Sequence, residues 1–415
     1  MRVLLSTYGS RGDVEPMMAL AVALRALGAE VRVCAPSDEE FARRLAGVGV
    51  PLVPAAQPVR ATVTAATATP PPVAGLPQRA AALIAAQFDA VAAAAEGCDA
   101  VVATGLLPAA AGTRCVAEKL GIPYVFVALF PSYLPSPHHP PLAWPGRPLP
   151  PDVTDNRVLW DLNAQNMNDL FGPGLDAHRT SIGLPAVENF RDYVFTGRPW
   201  LAVDPALGPW REPSDLDVVQ TGAWVLPDER PLPAELEAFL EAGTPPVYVG
   251  FGSMPMSASQ DVAKVAIESI RAQGRRALVG RGWADLAPID DHDDCFAVGE
   301  VNHQALFGRL AAVVHHGGAG TTTTAARAGA PQVVVPQMAD QPYWAGRVAD
   351  LGIGAAHDGP TPTFESLSAA LSTALAPETR ARAAALADTM HSDGAMVAAK
   401  LLLDRVSGER PPGSA

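Results

Sequence analysis

Basic residues are the scarcer charge in this sequence. The 415-residue chain holds 30 Lys and Arg against 43 Asp and Glu, a net charge of -13. That balance argues against nucleic acid or an anionic membrane as partner, although it leaves room for a local phosphate site. Cysteine is scarcer still. Cys34, Cys98, Cys115 and Cys295 lie far apart, in neither a zinc spacing nor a disulfide framework, and read as reduced core thiols of a cytoplasmic protein. No uninterrupted apolar run reaches the roughly 20 residues of a membrane span. The opening MRVLLSTYGSRGD turns polar too soon for a signal peptide and reads as a strand. A complete G-x-G-x-x-G is also missing. GFGSMP lacks the third glycine and GSRG the second, which disfavours a dinucleotide-dependent oxidoreductase.

What is present is one pattern written twice. In RVLLSTYGSRGDVEPMMALAVALRALGAEVRVCAP an apolar strand ends at Gly9-Ser10. Met17, Leu20, Leu24 and Leu27 then recur near helical spacing, Gly28 stops the helix, and a second strand follows. PPVYVGFGSMPMSASQDVAKVAIESIRAQGRRALVGR repeats this, with Gly252-Ser253 at the strand end and Gly274 at the helix stop. A second pair, CDAVVATGLLPAAAGTRCVAEKLGIPYVFVALF and LAAVVHHGGAGTTTTAARAGAPQVVVPQ, runs strand, loop, helix, Gly-x-Pro, strand. Such alternation predicts an α/β chain of two Rossmann-like, doubly wound domains with parallel sheets facing across a cleft. Ligands in these sheets bind outside the carboxyl ends of the strands. The spans are 1–213 for the first domain, 214–392 for the second and 393–415 for a last amphipathic helix returning to the first. The Pro-rich stretch from Phe130 to Asp155 carries Tyr133 and Trp144, with Trp160 just beyond it, and is read as an ordered surface loop. The segment VRATVTAATATPPPVAGLP is read as a mobile loop.

The densest chemistry lies in HHGGAGTTTT, His315 to Thr324, between a strand and a helix. A helix N-terminus with bare N–H groups attracts phosphate. Gly317, Gly318 and Gly320 let a ligand approach the backbone, His316 can donate to a phosphate oxygen, and Thr321 adds a hydroxyl. The motif reads as a diphosphate cradle without a Walker lysine. After the next strand come Asp340 and Gln341, an acceptor beside a group that both donates and accepts, which suits adjacent sugar hydroxyls. The run IDDHDDCF, with Asp290, Asp291, Asp293 and Asp294 around His292, offers carboxylates that could hold a divalent ion. Its polar, strand-connecting setting reads instead as a solvated loop, and no metal site is expected.

The stretch EVNHQALFGRLAAVVHHGGAGTTTTAARAGAPQVVVPQMADQ resembles the nucleotide-sugar signature of the GT-B glycosyltransferases of family 1. It carries His316-Gly317-Gly318, Gly329-Ala330-Pro331, Pro336 and Asp340-Gln341 in the family's order. GSRGDVEP, EKLGIPY, VQTGAWVLPDERPL and VYVGFGSM extend the resemblance along essentially the whole chain, toward the enzymes that decorate vancomycin- and teicoplanin-type heptapeptide aglycones. The resemblance implies an inverting transfer of a sugar from a UDP- or dTDP-sugar to an aglycone hydroxyl. Asp13 would be the general base, with Ser10 and Arg11 beside the acceptor. The donor would be held by Ser253, Val301, Asn302, His315, His316, Gly317, Gly318, Ala319, Gly320, Thr321, Asp340 and Gln341. It also implies a monomer that needs no bound cofactor. Plant members have Trp where Val301 stands. Relatives using deoxyamino sugars have His-Asp-Ser where this chain has His-Gly-Gly, which points to glucose or N-acetylglucosamine. Taken alone, Asp13 reads first as a helix N-cap, with Glu15 near the first turn. A macrolide or other polyketide acceptor, a GT-B-shaped epimerase and a non-catalytic helper are the alternatives.

Overall fold

The computed structural model describes residues 1–60, 73–252, 254 and 259–409. Two compact units result. The first takes Met1–Pro205, Pro209–Leu226 and the chain from His391; the second takes Ala206–Gly208 and Pro227–Met390.

The first unit is built on a parallel sheet of β1 (Arg2–Tyr8), β2 (Glu30–Pro36), β3 (Leu52–Ala55), β4 (Ala100–Gly105), β5 (Tyr124–Ala128), β6 (Trp200–Leu201) and β7 (Val219–Gln220), in the order β3-β2-β1-β4-β5-β6-β7. Alternation along β1 decides which helices cover which face. Val3 and Leu5 point to the core shared with the helix Arg11–Ala26. Leu4 points to the core shared with the helices Leu76–Ala94 and Leu107–Leu120. Met17, Leu20 and Leu24 are buried as their helical spacing predicts. The short strands β6 and β7 extend this sheet past the Pro-rich stretch, so the unit border falls after Leu226.

The second unit repeats the scheme with β8 (Val247–Gly250), β9 (Ala277–Gly280), β10 (Cys295–Val298), β11 (Ala312–His315), β12 (Gln332–Val334) and β13 (Gly354–Ala356), in the order β10-β9-β8-β11-β12-β13. Val247 and Val249 face the helix Ser259–Ala272, whereas Tyr248 faces the helix Ala234–Glu241. The doubly wound architecture expected from the sequence is therefore present in both units. In each sheet the strand order reverses once, between β1 and β4 and between β8 and β11. These switch points are where open α/β sheets bind ligands.

The helix Gly394–Glu409 belongs to the first unit. It buries Ala398, Ala399, Leu402 and Val406 in the core that also holds Met17 and Leu20. Its start lies tight against the chain. A Cβ on Gly394 would stand 2.5 Å from the Gly222 carbonyl carbon, so glycine is needed there. Leu402 is fully buried, and Leu402→Ala should cost about 2–5 kcal/mol, read as a lower midpoint in denaturant unfolding.

The Pro-rich loop is ordered by side chains of the helix Asn156–Ser181. Trp160 Nε1 donates to the His139 carbonyl at 2.9 Å, Asn156 Nδ2 donates to the Pro137 carbonyl at 2.9 Å, and Trp144 meets Phe171 edge-on at 5.2 Å. Most of VRATVTAATATPPPVAGLP lies outside the described residues. Among the described residues no helix is long and apolar enough to cross a membrane.

Candidate active site

The phosphate-type loop follows β11 at the second switch point. The helix Ala319–Arg327 begins at Gly318, an N-cap position with no side chain to close the first turn. The hydroxyls of Thr322 and Thr324 turn back to the carbonyls of Gly318 and Gly320, at 3.0 and 2.8 Å, and cap nothing. The first-turn N–H groups are thus left to a ligand or to solvent. Gly317 has φ +91°, and a Cβ there would stand 2.6 Å from Val334 Cγ1. Thr321 is half-buried in the first turn, Ala319 is half-buried and Gly320 is exposed.

The paired histidines divide the work. His315 is buried, with Nε2 2.9 Å from Gln332 Oε1 on β12, while its Nδ1 accepts the Gly317 N–H at 3.1 Å. The Gly317 bond fixes the proton on Nε2. Expected among the donor-binding residues, His315 has both ring nitrogens taken by protein groups and holds the turn from beneath. His316 sits higher. Its ring lies against Gly252 and Gly318, where a Cβ would approach Cε1 to 3.2 Å and Nε2 to 2.6 Å respectively. Its Nδ1 is buried with no partner among the described residues. Burial pushes the His316 imidazole down to about 3 and that of His315 to about 4. Both rings are neutral at physiological pH, and His316 can offer an N–H but not a charge.

Val301 and Asn302 are tied into the protein. Val301 packs in the core with Leu236, Phe239 and Phe307, so its side chain offers no stacking face. Asn302 caps the short helix His303–Leu306 by accepting from the Ala305 N–H at 3.1 Å. Its Nδ2 donates to the carbonyls of Asp228 and Arg230 at 2.7 and 2.9 Å. Any contact of this pair with a base runs through backbone. Ser253 lies outside the described residues.

Asp340 stands at the N-cap of the helix Gln341–Asp350 and makes no side-chain cap bond. Trp344, one turn on, donates Nε1 to Asp340 Oδ2 at 2.8 Å. Burial raises the Asp340 carboxyl to about 6, against the lowering effect of that bond. The preceding Ala339 has φ +55°, a strained conformation of the kind that clusters at functional sites. Gln341 Oε1 accepts the N–H groups of Gln337 and Met338 at 2.7 and 3.0 Å and so shapes the loop. Neither Trp344 nor Gln332 was singled out from the sequence; the i, i+4 spacing of Asp340 and Trp344 was the available signal.

In the first unit, Asp13 follows β1 at the switch point. It forms a capping box with Ser10. The Ser10 N–H donates to Asp13 Oδ2 at 2.8 Å, and Ser10 Oγ accepts from the Gly12 N–H at 3.3 Å. The N-cap expected at Asp13 is therefore Ser10, because the chain turns helical one residue after it, and Asp13 is the half-buried N3 partner of the box. Its carboxyl lies over Gly9, where a Cβ would stand 2.1 Å from Oδ2. Arg11 donates to Glu15 at 2.9 Å and approaches Glu40 to 3.8 Å, and Arg44 also pairs with Glu15.

The Asp-rich run has a cation of its own. Arg271 forks onto Asp290 at 2.6 and 2.8 Å and onto Asp294 at 2.7 and 2.9 Å, and these bonds hold Asp290 well below the usual carboxylate range.

Comparison with known proteins places the chain. Residues 3–136 match the model of the glycosyltransferase family 28 N-terminal domain, and residues 291–401 match that of the erythromycin biosynthesis protein CIII-like C-terminal domain. The chain is 61% identical to glycosyltransferase GtfE of Amycolatopsis orientalis over 99% of both chains. It is 60% identical to the vancomycin aglycone glucosyltransferase of the same organism over 100% of both. Among solved structures it resembles the glycotransferase of kitacinnamycin, with a TM-score of 0.73 at 22% identity and 98% coverage of each chain, a likeness of fold.

Proposed function

The chain belongs to the GT-B glycosyltransferases, and from that premise we propose that it is an inverting enzyme of glycopeptide antibiotic assembly. It moves glucose or N-acetylglucosamine from a UDP- or dTDP-sugar to a hydroxyl of a heptapeptide aglycone. The relatives named for vancomycin chemistry support the acceptor class. The observation that carries the donor class is the loop after β11, with a bare helix N-terminus beside a neutral His316 whose buried Nδ1 lacks a partner.

In this mechanism the acceptor hydroxyl gives its proton to Asp13, and its oxygen attacks the anomeric carbon. The bond from that carbon to the diphosphate oxygen breaks, and the electron pair leaves on the β-phosphate. The first-turn N–H groups after Gly318 and the His316 N–H meet the developing charge. Asp340 meets the sugar hydroxyls, and Gln341, buried with its Oε1 taken by the Gln337 and Met338 N–H groups, holds the loop that presents it. His315 and Asn302 position the loops rather than the ligand.

The test is to incubate the protein with vancomycin aglycone and each of UDP-glucose, dTDP-glucose and UDP-N-acetylglucosamine, reading the products by mass. A single hexosyl or N-acetylhexosaminyl addition supports the proposal. Addition to a macrolide alone would favour the polyketide alternative.

A pH dependence follows from Asp340. With its carboxyl raised to about 6 by burial, it is ionised above that pH and protonated below it. Only the ionised form accepts from two sugar hydroxyls with both oxygens. The Kd of UDP-glucose should therefore rise several-fold as pH falls through about 6, and Asp340→Asn should remove that step. Calorimetry across this range would show it, and a step that persists in the variant would belong to another group.

A further inference from the structure

The bond between Trp344 and Asp340 carries a charge that tryptophan does not need. Trp344 is fully buried, Tyr343 meets it edge-on at 5.1 Å, and its Nε1 donates to Asp340 Oδ2 at 2.8 Å. An indole has one donor and no acceptor, and a buried one needs a partner. A neutral carbonyl oxygen, such as that of asparagine, would satisfy it. A carboxylate costs more, since burial disfavours its charged form and raises Asp340 to about 6. A ring packed on all sides cannot follow the carboxylate, so the bond fixes where Oδ2 lies.

The place of Asp340 gives the charge a use. The chain leaves β12 and enters the helix Gln341–Asp350 beside the phosphate-type turn. A Cβ on Gly317 would stand 3.2 Å from the Gln341 carbonyl oxygen and 3.3 Å from Gln341 Cβ, so this backbone abuts the turn. A diphosphate seated there would carry its sugar next to Asp340. Burial raises the Asp340 carboxyl, while the Trp344 bond and its own backbone N–H lower it. The titratable groups on the packed elements are His315 and His316 before the helix Ala319–Arg327, Arg327 at its end, and Tyr343, Arg347 and Asp350 on the helix that Asp340 opens. Both histidines are neutral between pH 5 and 8, and Arg347 donates to the Leu207 carbonyl at 3.0 Å and approaches Asp350 to 3.8 Å.

We infer, resting on the reading of Asp340 as the ligand of the sugar hydroxyls, that Trp344 is a positioning residue for the donor sugar: its immobile indole N–H aims the Asp340 carboxylate without touching the sugar itself. Trp344 therefore acts on the sugar half of the donor and not on the nucleotide half.

The test compares Trp344→Phe, Asp340→Ala and the double variant of the full-length protein by calorimetry with UDP and UDP-glucose. Phenylalanine keeps an aromatic body and loses the N–H. Trp344→Phe should raise the Kd of UDP-glucose by about five- to tenfold and leave that of UDP within about twofold. Its loss of UDP-glucose affinity on acidification should begin about one pH unit higher than in the parent, because the missing bond favoured the ionised carboxylate. In the Asp340→Ala background, Trp344→Phe should weaken UDP-glucose no further, since its route is gone. An unchanged UDP-glucose Kd in Trp344→Phe would overturn the inference. Equal weakening in both backgrounds, or weakening of UDP itself, would assign Trp344 to packing and overturn it as well. Should Trp344→Phe fail to fold, the parent labelled with nitrogen-15 tryptophan answers the same question. Of its seven indole signals, the one that Asp340→Asn displaces should move as pH passes through about 6 and on addition of UDP-glucose beyond any change that UDP produces. A signal indifferent to the sugar would overturn the inference. Unchanged UDP-glucose affinity in Asp340→Ala would overturn the underlying reading of Asp340, and that result needs no variant of Trp344.

Discussion

Asp13→Asn should lower kcat by about 10²-fold or more while leaving the Kd for UDP unchanged. The substitution is informative because Asp13 has two jobs that asparagine separates. As the N3 residue of a capping box it accepts the Ser10 N–H through Oδ2, and an asparagine carbonyl oxygen in the same place can accept that bond. Helix and fold should therefore persist, with Tm within a few degrees of the parent. What asparagine cannot do is take a proton from the acceptor. Asp13→Ala should differ, losing the cap at a cost of about 1 kcal/mol as well as the base. Loss of turnover in both variants, with loss of stability only in the alanine variant, is the expected pair of results from steady-state kinetics and thermal unfolding. Near-normal turnover of Asp13→Asn would reduce Asp13 to a capping residue.

His316→Ala should weaken UDP and UDP-glucose together, by about 10- to 100-fold, the worth of one hydrogen bond to a charged group. The ring lies between Gly252 and Gly318, and its buried Nδ1 has no partner among the described residues. With its pKa driven down to about 3, the ring contributes a dipole rather than a charge, so its share of the affinity should not vary between pH 5 and 8. Titration calorimetry of UDP reads both effects. Unchanged UDP affinity would take His316 out of the cradle, and His315 could not replace it, since Gln332 and Gly317 already occupy its ring nitrogens.

The fold was legible because two signals agreed in each half, apolar strands ending in glycine and helices stopped by glycine, and because the halves repeated one another. Asp13, His316 and Asp340 could be picked out as candidates for a related reason: each follows a strand, and strand ends in a parallel sheet are where ligands bind. What the sequence hid was which member of each group faces outward. Adjacent histidines look alike in a string, yet His315, the last residue of β11, is buried against Gln332, and His316, the first beyond it, lies against Gly252 and Gly318. Val301 and Asn302 matched a motif whose side chains this fold spends on its core and on a helix cap. The Asp-rich run read as a solvated loop, and what its sequence did not show was that Arg271 pairs with Asp290 and Asp294.

Direct displacement at the anomeric carbon by an aglycone hydroxyl, with Asp13 as base, inverts the configuration of that carbon. The most direct measurement is the anomeric configuration of the glucosylated product, read from the anomeric proton coupling by NMR after incubation with UDP-α-glucose and vancomycin aglycone. A β-linked glucoside of the aglycone is the predicted result. An α-linked product, or glucose released to water with the aglycone unmodified, would contradict it.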